Sequence, residues 1–176
     1  GYLTGTMSCG WTLAALLCSG YSGTHARFFM RSGSVVIFIG LTSLSIILPS
    51  VTILHSYGLL PLCFSLILVG FGIGMGMPHI MANILTSAHH DEANLASYSL
   101  TTVQLFATAI GAALGGMVTS LAGLTESGGG ILETTRAAQW LFISFSVAPL
   151  LAFFSMNRVL KFNNALAIEI DRTNSK

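Results

Sequence analysis

Three long stretches of this chain carry no Asp, Glu, Lys or Arg: residues 33 to 90, 93 to 125 and 137 to 157. A bilayer-spanning helix needs roughly 20 mainly apolar residues, because ~1.5 Å of rise per residue has to cover ~30 Å of hydrocarbon. Each stretch is long enough for at least one such helix. In hydrocarbon every backbone polar group must be satisfied within the protein, which for segments of this length means helices. The sequence therefore predicts an all-α integral membrane protein. Composition agrees, since 53% of the 176 residues are hydrophobic and only 7% are charged, against about 25% charged in soluble domains.

Several other classes are excluded. The net charge is +1, and no basic patch interleaved with aromatics is present, so nucleic acid is not expected as a partner. Cys9, Cys18 and Cys63 are odd in number and sit in apolar runs, where they read as small core residues and not as a disulfide framework. The chain opens on Gly1 already inside an apolar pattern, which reads as a fragment whose preceding helices are missing.

Spans are expected near 2–20, 34–54, 58–87, 95–123 and 137–157, followed by a polar tail over 158–176. Cytoplasmic connections retain Lys and Arg, so the distribution of basic residues sets the orientation. Arg27 and Arg31 lie between the first two spans, and Arg158, Lys161, Arg172 and Lys176 lie in the tail. Placing these on the cytoplasmic side puts six of the seven basic residues inside and only Arg136 outside. The carboxyl end is then cytoplasmic.

Pro49, Pro61, Pro78 and Pro149 fall in or at the ends of the apolar runs, where missing N–H groups call for kinks supported by neighbouring helices. The third span carries Gly70, Gly72, Gly74, Gly76 and Pro78. Gly70/Gly74 and Gly72/Gly76 are small pairs at i, i+4 spacing that permit close helix approach or a flexible gate. The fourth span places Thr101, Gln104, Thr108, Gly111 and Gly115 on one polar and small stripe, read either as packing or as the wall of a solute cavity. His79 and Asn83, one turn apart, are candidates for polar contacts near the inner end of that cavity, with an interfacial His reaching water as the plainer account.

The run Gly70 to Gly116 resembles the C-terminal half of a major facilitator superfamily transporter, most closely the multidrug:proton antiporter branch with fourteen helices. The resemblance lies in a glycine-rich helix ending at Pro78, then Glu92-Ala93-Asn94-Leu95-Ala96-Ser97, then Thr102-Val103-Gln104 through Gly111 and Gly115. It implies five helices of an incomplete six-helix C-terminal bundle, with the first, third and fourth lining a central cavity. Thr4, Ser8 and Trp11 on the first span join the cavity candidates in this way. Arg27 and Arg31 match the first and last basic positions of the superfamily's cytoplasmic loop signature. Ser22, Ala26 and Phe29 replace its first glycine, its acid and its second glycine, leaving the arginines as inside anchors.

The function implied is secondary active transport, with proton-coupled efflux of drugs or other small organic solutes by alternating access between this bundle and a missing N-terminal one. The location implied is a bacterial-type plasma (inner) membrane. No acidic or basic residue lies within a span, so the proton carrier is expected in the missing bundle. No catalytic residue, cofactor or metal is expected. His89, His90, Asp91 and Glu92 offer donors suited to a metal, but neighbouring positions at a helix start point in different directions, and the two acids suit the helix N-terminus. A sugar or metabolite facilitator and a non-transporting membrane scaffold remain the alternatives.

Overall fold

The computed structural model describes residues 1–18, 20, 24–51, 59–87, 93–123 and 130–174. Among these the protein is all-helical, with α1 (Tyr2–Cys18), α2 (Thr24–Val51), α3 (Leu59–Ser87), α4 (Ala93–Leu121) and α5 (Ile131–Asn174), and no strand. Among the described residues four segments are long and apolar enough to cross a membrane: Arg27–Pro49, Leu59–Thr86, Asn94–Leu121 and Glu133–Arg158. The architecture is compatible with an integral membrane protein.

The helix limits differ from the apolar runs in three places. The described part of the first helix has 17 residues, which at ~1.5 Å per residue is about 25 Å, short of the ~30 Å hydrocarbon core. Among the described residues four helices are of spanning length, where five spans were expected. The second helix starts at Thr24 and not near residue 34, so Arg27 and Arg31 stand on its first turns and not in a connection. The last helix starts at Ile131 and continues to Asn174, so the segment read as a polar tail is helical through that residue. Charge marks where a helix leaves an apolar medium; it does not end a helix, and Arg and Lys are good helix formers.

Central α3 packs on both α1 and α2, α5 packs on α2, and α4 packs on α5 with a slight contact to α3. Glycine makes the two central contacts possible. A Cβ at Gly70 would strike the Met7 carbonyl oxygen, and one at Gly74 the Trp11 carbonyl oxygen, both on α1. A Cβ at Gly72 would lie 2.6 Å from Ile37 Cγ1 and 2.7 Å from the Gly33 carbonyl oxygen, both on α2. Residues four apart share a helix face, whereas residues two apart do not. Gly70/Gly74 thus serve α1 and Gly72 serves α2.

Two small apolar cores follow from this packing. Ala14, Cys18 and Met75 cluster with Phe29, Val36 and Phe71 around them. Leu44, Leu62 and Val69 cluster with Met7, Leu41 and Phe142 among their neighbours. Elsewhere large apolar side chains point outward, as with Leu121, Phe106 and Leu151, at 80%, 66% and 63% exposure. Such a surface is unfavourable in water and natural against lipid.

Polar atoms in the packed region are mostly satisfied one turn back. The hydroxyls of Ser45, Ser65 and Ser146 donate to the carbonyls of Thr42, Pro61 and Phe142 at 2.8, 2.9 and 2.7 Å. This local bonding lets a serine sit in an apolar interior.

Candidate functional site

His79 is the buried polar side chain that does not follow that pattern. It lies on α3 one residue after Pro78, only 7% exposed, and its Nε2 has no hydrogen-bond partner among the described residues. Its ring stacks on Phe29 of α2 with centroids 5.9 Å apart and planes 9° apart. One turn on, the Asn83 side-chain N–H donates to Met30 Sδ at 3.8 Å. His79 and Asn83 are therefore turned to α2, and His79 does not reach water as an interfacial residue would.

The α1 candidates Thr4, Ser8 and Trp11 are exposed. Ser8 donates to the Thr4 carbonyl at 3.1 Å and Thr12 to that of Ser8 at 2.9 Å. On α4, Thr101 and Thr108 are exposed and donate to the Ser97 and Gln104 carbonyls at 3.0 and 2.8 Å. These hydroxyls need no outside partner. Gln104 is half-buried, and its amide forms no hydrogen bond among the described residues. An amide offers two donors and two acceptor lone pairs, and within the middle of α4 Gln104 leaves that capacity unused.

The sequence candidates do not converge on one enclosed site. Helices α1 and α4 share no packed interface, and His79 and Asn83 belong to the α2/α3 contact. A Cβ at Gly76 or Gly111 would meet no atom, and one at Gly115 would make ordinary contacts of 3.7 and 3.8 Å with Leu141 and Phe145. Close packing instead involves Gly10, Gly33 and Gly40, which sequence reasoning missed. Gly10 abuts the Ile67 backbone, Gly33 the Gly72 carbonyl and Gly40 the Val69 side chain. The available signal was the seven-residue spacing of Gly33 and Gly40, two turns along one face.

Charged groups occupy the helix ends. The placing of Phe142 beside the Leu44 cluster, and of Phe153 and Phe154 beside Ser34, shows that α5 runs antiparallel to α2. Arg31 and Arg158 therefore lie toward one end, and Arg136 toward the other. The 22 steps from Arg136 to Arg158 correspond to about 33 Å at ~1.5 Å each, close to a bilayer core.

Among the described residues no group of three or more His, Cys, Asp and Glu is placed to hold a metal. His89, His90, Asp91 and Glu92 lie outside the described residues, as does Ser22. No family model, curated protein or solved structure matches the chain.

Proposed function

We propose that the chain is the C-terminal part of a facilitator-type secondary transporter that moves drugs or other small organic solutes by alternating access, coupled to protons. The observation that carries this reading is Gln104: an amide with unused donors and acceptors, on a helix of membrane-spanning length that packs only lightly on its neighbours. Facing hydrocarbon, such a group would go unsatisfied; facing an aqueous or solute-filled cavity, it is solvated or bonded. The working cavity forms between this bundle and a companion N-terminal bundle, around a site at mid-membrane depth. In this reading the Arg31 and Arg158 ends face the cytoplasm of a bacterial-type inner membrane, and the companion bundle holds the proton carrier.

The experiment is solute flux in proteoliposomes containing both bundles, with and without an imposed proton gradient. Saturable flux that follows the gradient is the expected result. A sugar or metabolite facilitator would saturate with that solute and ignore drugs. A membrane scaffold, which draws some support from the self-satisfied Thr101 and Thr108 hydroxyls, would give no saturable flux with any solute.

A further inference from the structure

A groove between α2 and α5 has the shape and polarity of an amphiphile. Its inner part is a slot of about 210 Å³ walled by Val35 and Phe38 on α2 and by Pro149, Leu150 and Phe153 on α5, with Ser34 at its edge. Phe154 lines this slot and also a wider cavity of about 760 Å³, which Leu151, Ser155, Asn157 and Arg158 line. The composition changes along the groove from hydrocarbon to hydroxyl, amide and guanidinium. Arg158 is exposed, and no acidic side chain is among the described lining residues. Arg31 reinforces the positive end, because residues 31, 34, 35 and 38 follow i, i+3, i+4, i+7 spacing and share one face of α2.

We infer that this groove binds an anionic phospholipid, with part of one acyl chain in the slot and the headgroup phosphate at Arg158, Ser155 and Asn157. A guanidinium forks onto phosphate oxygens through two parallel N–H donors, and a basic pocket between membrane helices recognises anionic headgroups in this way. A free phosphate would leave the slot empty, and an uncharged alkyl chain would leave Arg158 unused. A zwitterionic headgroup would bring its own cation toward Arg31 and Arg158. Only an anionic lipid uses both halves. The site depends on the helices lying in a bilayer and is independent of whether the protein transports anything.

Native mass spectrometry of the full chain in detergent, titrated with dioleoyl phosphatidylglycerol or dioleoyl phosphatidylcholine, tests this directly. Phosphatidylglycerol should be retained preferentially. Arg158→Gln should weaken its binding about five-fold, as expected for one surface arginine, while Arg136→Gln at the opposite end leaves it unchanged. Arg158 is exposed, so this variant keeps the fold, and circular dichroism verifies that. Dihexanoyl phosphatidylglycerol should bind more weakly than the dioleoyl lipid, and inorganic phosphate should not displace the latter. Equal retention of both dioleoyl lipids, or no loss in Arg158→Gln, would overturn the headgroup assignment. Indifference to chain length, or full displacement by inorganic phosphate, would overturn the slot assignment.

Discussion

Phe29 and His79 lie ring upon ring across the α2/α3 contact, 5.9 Å between centroids and 9° from parallel. The stack joins the start of α2 to α3 just beyond Pro78, where the proline ring cannot donate to the Gly74 carbonyl. His79→Phe should preserve the stack, remove the unpartnered Nε2 and leave the unfolding midpoint in detergent unchanged or higher. His79→Ala should empty a buried volume and destabilise by about 2–4 kcal/mol. Equal midpoints for wild type and His79→Ala would show that the stack carries no stability.

Glycine substitutions should separate by location. Gly70→Ala and Gly74→Ala direct a methyl at backbone carbonyls of α1, which cannot rotate away as a side chain can. They should lower the yield of monodisperse protein in size-exclusion chromatography. Gly111→Ala meets no atom and gains up to ~1 kcal/mol of helix propensity. Normal yield from Gly74→Ala would contradict the tight α1/α3 packing.

Gln104→Ala should change solute preference or apparent affinity in a protein containing both bundles, with abundance near normal. Its amide holds up no part of the described packing, so stability gives it little reason to matter. Transport per folded molecule is the quantity to compare. Unchanged kinetics with every solute tested would remove Gln104 from the cavity wall.

Orientation can be read with impermeant thiol reagent on intact cells, after Cys9, Cys18 and Cys63 are replaced. Ile131, 79% exposed, stands at the start of α5, and Asn157 stands a bilayer's length further along. Cysteine at 131 should label from outside and cysteine at 157 should not. The reverse pattern would invert the topology assigned from the basic residues.

The sequence revealed the helices better than their ends. Charge-free stretches locate apolar surface, and α3 and α4 follow them closely. At Arg27, Arg31 and the segment after Arg158 the same reasoning stopped too early, because a helix leaving hydrocarbon continues into water without a change in backbone hydrogen bonding. Gly70, Gly72 and Gly74 were legible as close-approach positions from their spacing alone. Their partners were not, since nothing near Gly33 in the chain says that it meets Gly72. The groove on α5 was also invisible, because Val35 and Phe153 lie on helices far apart in sequence and only tertiary packing makes them one wall. Sequence alone also does not say that Thr101 and Thr108 satisfy their own helix.

The packing of α3 between two backbones has a consequence for how this chain can vary. At Gly70, Gly72 and Gly74 the smallest available change, one methyl group, already overlaps a facing helix. Graded drift through Ala and Ser is therefore closed at the middle of α3. Substitution on the facing helix cannot compensate, because the atoms in the way are backbone. A library randomising positions 33 and 72 together should return glycine at both, whereas residues 111 and 112 on α4 should accept small side chains one at a time.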